Sequence, residues 1–171
     1  MPPELKRSFA PLVDANTRIL VLGSLPGEAS LRAAQYYANP RNQFWRLMAP
    51  VVAAPLTDLP YDARLATLLS AGVGLWDVIQ SANRSGSLDA NIRDHRPNAL
   101  ADLVATLPSL RAVAFNGGKA STLGRRLLGE ANCVTLLSLP SSSPAHTAPF
   151  DNKQVAWSQL GRLLRDSLRS G

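Results

Sequence analysis

Four short apolar runs recur along the chain, at residues 18–22 (RILVL), 73–79 (VGLWDVI), 111–115 (RAVAF) and 133–139 (CVTLLSL), separated by stretches with helical spacing. Continuous runs of this length suit strands buried on both faces. Strands alternating with helices imply a mainly parallel sheet with helices covering each side. The spacing predicts helices over 42–52, about 62–72, 98–107, 119–128 and about 151–168. Pro50 is expected to end or kink the first of these. Residues 81–97 are polar and read as a long loop holding one helical turn. No repeat or linker divides the 171 residues. Residues 1–171 are therefore expected to form a single α/β domain, three layers (α/β/α) around a central four-stranded, mainly parallel sheet. In such sheets, sites form outside the carboxyl ends of the strands. Three of the four strands run into unusual turns at that edge: Gly23-Ser24-Leu25-Pro26-Gly27, Asn116-Gly117-Gly118, and a loop over 140–149.

Composition narrows the chemistry. Eighteen Lys and Arg against twelve Asp and Glu give a net charge of +6, which favours polyanionic partners but does not by itself establish one. The single cysteine, Cys133, cannot form an internal disulfide, and with two histidines it cannot build an iron–sulfur or ordinary zinc site. No metal or organic cofactor is expected. The first twelve residues mix Pro, Glu, Lys and Arg without an apolar signal segment. The richest apolar stretch, 48–56, is broken by Pro50 and Pro55, so no membrane span is expected. These features together predict a cytoplasmic monomer.

The glycine turns fail the nucleotide motifs. Ala120 follows Gly118-Lys119 where a phosphate loop requires Ser or Thr. The 23–27 turn is neither a dinucleotide fingerprint nor a nucleophile elbow. The zinc deaminase motifs, His-x-Glu and Pro-Cys-x-x-Cys, are missing.

The stretch GSLPGEASLRAAQYYANPRNQFW at 23–45 resembles the uracil-DNA glycosylase superfamily, and within it the hypoxanthine-DNA glycosylase (DNA-deoxyinosine glycosylase) branch. Segments at 74–92 (GLWDVIQSANRSGSLDANI), 114–120 (AFNGGKA) and 139–147 (LPSSSPAHT) agree in order. The resemblance implies a monofunctional glycosylase acting on DNA with deaminated bases: deoxyinosine first, with deoxyuridine or deoxyxanthosine as side substrates. That chemistry flips a nucleotide from the duplex and hydrolyses its C–N bond. The uracil-removing branches commonly carry Asp or Asn in the first glycine turn, whereas this turn has neither. In the hypoxanthine branch the catalytic amide precedes the Phe-Trp pair, which transfers to Asn42. Asn39, where the family often has His, stands as the alternative.

The remaining roles follow from what such a reaction needs. Phe44 is expected to offer an aromatic face to the flipped base, with Trp45 in the core and Tyr37 or Tyr36 lining the pocket. Backbone N–H groups of Gly23, Ser24, Leu25, Pro26 and Gly27 (the proline excepted) are expected to steady the departing base. Asn116 is a candidate base contact. Ser141, Ser142 and Ser143 suit phosphates, residues from Pro144 to Thr147 suit a wedge in the vacated stack, and His146 and Lys119 suit DNA contact. Lys153 is assigned an electrostatic role. Asp77 and Asp89 could handle the base or cap loops, and Arg84 and Arg93 could meet DNA or pair with Asp89 and Asp94. Two other readings remain: a non-catalytic nucleic-acid or nucleotide-binding module on the same fold, and a small-molecule hydrolase with a serine nucleophile.

Overall fold

The structure is a computed structural model that describes residues 4–129 and 134–169. Cys133, at the head of the fourth apolar run, lies outside the described residues. The sheet strands are β2 (Ile19–Gly23), β3 (Val73–Asp77), β6 (Ala112–Asn116) and β7 (Thr135–Leu139). Their order is β3-β2-β6-β7, and every pairing is parallel. Alternate residues of each strand point to opposite faces. Ile19, Val21, Val73, Leu75, Ala112 and Ala114 pack with helices α2 (Phe44–Val52), α3 (Tyr61–Ser70), α6 (Phe150–Trp157) and α7 (Gln159–Arg169). Leu20, Leu22, Val113 and Phe115 pack with α4 (Leu100–Ala105) and α5 (Gly118–Leu128) on the other side. The helix α1 (Glu28–Ala33) follows the first glycine turn. The result is the expected α/β/α layering.

Three expectations are corrected. The run 73–79 is not one strand. After Asp77 the chain leaves the sheet, as Val78 and Ile79 donate to the carbonyls of Gly23 and Ser24 at 2.8 and 3.0 Å. It then enters a second, antiparallel sheet of β1 (Leu5–Arg7), β4 (Ile79–Asn83) and β5 (Arg93–Pro97). The supposed loop over 81–97 is thus strand at both ends, with the expected helical turn between them at Asp89–Asn91; β5 is exposed along its length, so it carries no apolar alternation. Second, the helix expected over 98–107 is the shorter α4, Leu100–Ala105, and the Asn98 amide instead donates to the Asp77 carbonyl at 2.7 Å and to Ser8 Oγ at 3.1 Å. Third, the last helix is two helices, meeting at Ser158, whose hydroxyl donates to the Val155 carbonyl at 2.7 Å. Pro50 sits on the exposed side of α2, which ends two residues later at Val52, with Ala53 after it in the left-handed region (φ 53°).

Candidate active site

Parallel register brings the strand ends level: Gly23 lies opposite Asp77, and Asn116 opposite Leu139. A Cβ on Gly23 would stand 2.7 Å from Asp77 Oδ1 and 3.2 Å from the Tyr37 hydroxyl. Glycine is needed there because two polar side chains close on the strand end. The turn beyond it is tied back from behind. The Arg84 guanidinium, 1% exposed, donates to the carbonyls of Pro26 and, at 3.0 Å, Gly86. Ser24 Oγ donates to Asp89 Oδ1 at 2.6 Å, and Leu25 packs with Ile79, Ala82 and Ile92. Leu25 therefore anchors the turn to the second sheet rather than lining a base pocket. Arg84, expected at a DNA surface or paired with Asp89, is buried; its Nη1 pairs with Asp89 Oδ1 at 4.0 Å while its other donors clamp the turn.

Four side chains from three loops form one network. Asn42 Oδ1 accepts the Phe44 N–H at 3.0 Å and the Ser142 hydroxyl at 2.8 Å. Asn116 donates to Ser142 Oγ at 2.9 Å and to the Tyr37 hydroxyl at 3.3 Å, and its Oδ1 accepts the Ser142 N–H at 2.9 Å. Tyr37, at φ 54°, lays its ring on Phe44 with centroids 3.9 Å apart and planes 17° from parallel. Trp45 and Trp157 meet Phe44 edge-on. Asn39 instead accepts the N–H of Arg41 at 3.0 Å, within its own loop.

The serine loop is held from the helix layer. Lys153, 1% exposed, donates from Nζ to Gln43 Oε1 at 2.9 Å and to the carbonyls of Ser143 and His146 at 3.3 and 2.7 Å. Gln43 N–H donates to the Ser142 carbonyl at 2.9 Å. The hydroxyls of Ser141 and Ser143 accept N–H groups of Ser143 and Ala145. Pro144, Ala145, His146 and Thr147 are left exposed at the tip, while Lys119 is half-buried at the start of α5.

Asp77 is the electrostatic anomaly. It is 4% exposed, and its Oδ2 has no hydrogen-bond partner, alone in this respect among buried side-chain atoms of the described residues. Burial raises its carboxyl to a pKa of about 7, against an opposing pull from Arg84 and with a further push from Asp89. Burial also raises the Tyr36 and Tyr37 hydroxyls, with the Asp77 charge adding to both. Among the described residues no three His, Cys, Asp or Glu side chains gather into a group that could hold a metal ion.

Residues 10–161 match the model of the uracil DNA glycosylase superfamily. The chain belongs to that superfamily. A "Hypoxanthine DNA glycosylase" of Methanosarcina acetivorans is 40% identical over 158 residues, covering 92% of this chain and 99% of the relative. Another of that name, from Methanosarcina barkeri, is 36% identical over 156 residues, covering 90% and 96%. The solution NMR structure of a candidate uracil DNA glycosylase from M. acetivorans superposes with a TM-score of 0.84 at 40% identity, covering 95% of this chain and 99% of that one. The chain is a DNA glycosylase.

Within this glycosylase fold, several expected roles change. Phe44 is fully buried, and Tyr37 covers its face; the half-buried ring of the pair is Tyr37, with Phe44 behind it. Both amide hydrogens of Asn116 and one lone pair of its oxygen are engaged by its neighbours, so it joins the loops to one another. Ser142 is 1% exposed and belongs to this network, not to a phosphate surface. Asn42 Oδ1 already accepts two hydrogen bonds, which fills both lone pairs of an amide oxygen. Lys153 was undervalued, although the sequence held a signal. It lies one turn before the buried Trp157 on α6, so it shares that inward face.

Proposed function

We propose that the chain is a monofunctional glycosylase that hydrolyses the N-glycosidic bond of deaminated bases in DNA, deoxyinosine first, with deoxyuridine and deoxyxanthosine as lesser substrates. The names and coverage of the two relatives support hypoxanthine as the first base. The Asn42–Ser142 hydrogen bond carries it on the structural side, because it brings the Asn42 amide oxygen into contact with the serine loop. A flipped base stacks on Tyr37, whose ring Phe44 stiffens from behind. The Phe44 N–H holds the Asn42 amide in orientation. The Ser142 hydroxyl, a freely rotating donor, is the bond that yields to an incoming water. That water attacks the anomeric carbon while the backbone of the 23–27 turn steadies the base.

The test is a duplex carrying one deoxyinosine, incubated with the protein and then with alkali. Release of hypoxanthine and an alkali-dependent break are expected, with no break before alkali. Tight binding without base release would return the protein to a non-catalytic DNA-binding module. A break without alkali would contradict simple hydrolysis.

A further inference from the structure

The antiparallel second sheet carries cations that the candidate site does not use. Lys6 on β1 is paired with Glu4 at 2.7 Å, and Arg93 on β5 donates from Nη1 to the carbonyls of Ala90 and Ile92 at 2.7 and 2.8 Å. Arg7 and Arg96 are exposed and hold no hydrogen bond or ion pair among the described residues. The ladder sets these two in one row. Arg7 lies opposite Ser81 from one side, and Arg96 lies opposite Ser81 from the other. Directly opposed residues point to the same face, so both stems rise from one face, about 10 Å apart at their Cα atoms, or two strand spacings. A bulge makes the row. Three steps along β5, from Arg93 to Arg96, match two along β4, from Asn83 to Ser81, with Asp94 in the left-handed region (φ 52°). Without the extra residue Ser81 would face His95, and bulges re-aim side chains in this way.

Between the two arginines is a hollow of about 510 Å³, with the buried Ser81 in its floor and Gln80, Asn83 and Asp94 also lining it. Its place in the fold matters. β4 begins at the carboxyl edge of the main sheet, where the Ile79 N–H donates to the Ser24 carbonyl. Ser81 is two residues further on, about 7 Å along the strand, so the row flanks the first glycine turn. We propose that the Arg7–Ser81–Arg96 row is a DNA-backbone contact that holds the duplex beside the lesion, outside the nucleotide that is flipped. The inference rests on the glycosylase reading above. A guanidinium fork matches a phosphate, and amide side chains such as Gln80 and Asn83 suit phosphate and sugar oxygens. The lining has no aromatic ring to hold a nucleobase, which favours a backbone over a free nucleotide. Phosphates recur about every 3.4 Å of helix axis along each strand, which puts the contact roughly two to three base pairs from the flipped position. Asp94 opposes it, as the one carboxylate of the lining, and accepts from Asn83 Nδ2 at 3.4 Å.

The test is fluorescence anisotropy on duplexes carrying an uncleavable deoxyinosine analogue, with long flanks or with either flank cut to one base pair. The double variant Arg7→Gln/Arg96→Gln should bind the long duplex roughly tenfold more weakly at low salt, with the log–log salt slope reduced by about two. Its melting temperature and its single-turnover rate at saturating enzyme should match the parent. For the parent, cutting one flank should cost affinity and cutting the other should not; the double variant should be indifferent to both. Asp94→Asn should bind more tightly. Parent-like affinity and slope in the double variant, an affinity loss without a change of slope, or equal flank sensitivity in parent and variant each overturns the proposal. Shifts of the Arg7 and Arg96 side-chain resonances with inorganic phosphate but not with duplex would make the row a small-anion site, and overturn it too. Failure to release hypoxanthine would sink the substrate reading alone: the same series on undamaged duplex still decides the row, because a backbone contact does not depend on the base.

Discussion

Asn42 serves two masters, and its substitution separates them. Its oxygen receives the first N–H of α2 and the Ser142 hydroxyl. Asn42→Ala should therefore lose about 1 kcal/mol of stability, the scale of a lost helix cap. Its single-turnover rate should fall by roughly 10²-fold or more, as when one preorganised polar group leaves a catalytic site. Asn39→Ala, which breaks only a local turn, should retain most of the rate; the reverse result moves the water to Asn39. The stacked pair divides similarly. Tyr37→Ala should weaken affinity for DNA with an uncleavable deoxyinosine analogue by about 1–3 kcal/mol. Phe44→Ala should chiefly cost stability, about 3–5 kcal/mol, measured by urea unfolding. Asp77 adds a pH signature. Burial raises its carboxyl from 3.8 to about 7, so over that interval the unfolded chain releases a proton that the folded chain keeps. Stability is lost as pH rises across the window and is level above it, by on the order of a few kcal/mol. Asp77→Asn should be more stable than the parent at pH 8 and equal to it near pH 3.5. Equal unfolding midpoints at both pH values would contradict the raised carboxyl.

At the scale of elements, helix α6 sets the serine loop through one amine. Lys153→Met leaves the acceptors on Gln43, Ser143 and His146 without their cation. A stability loss of about 1–3 kcal/mol is expected, together with faster amide exchange over 141–147 and weaker DNA binding. Unchanged exchange would show that the loop holds itself. Helix α5 meets β6 with no room to spare: a Cβ on Gly124 would run into the Phe115 ring. Alanine is the better helix former by about 1 kcal/mol, but overpacking costs about 1–3 kcal/mol, and here the obstacle is a rigid, fully buried ring. Gly124→Ala should lower the melting temperature. The partners of Lys153 and of Gly124 were hidden in sequence for one reason. Each depends on which residue of a distant element stands opposite.

For the whole molecule, the excess of cations over anions predicts a salt-dependent association with duplex DNA. The log–log slope of affinity against salt should be about −0.9 per phosphate neutralised. Lys119, half-buried at the head of α5 beside the strand edge, is a candidate for one such contact. Lys119→Gln should reduce the slope by about one without altering preference among bases; an unchanged slope places the phosphate contacts elsewhere.

The buried sheet was legible without coordinates, because a strand covered on both faces must be apolar throughout and its turn must follow at the carboxyl edge. Four such runs with helical spacers allow few other folds, and the motifs at 23–45, 74–92, 114–120 and 139–147 placed the site's loops. The second sheet was not legible. Its outer strands β1 and β5 are mostly exposed, and β5 has no buried side to impose a period. Roles within the site were decided only in three dimensions. Phe44 and Tyr37 are both aromatic residues near the same motif, and only their stacking shows which is covered. Asn42 and Asn116 are both amides in turns, and only their partners show which hydrogen-bonding capacity is spent. Asp77 reads in sequence as one more loop carboxylate; its free oxygen exists because Gly23, Tyr37, Arg84 and Asn98, far apart along the chain, close around it and leave that one atom without a partner.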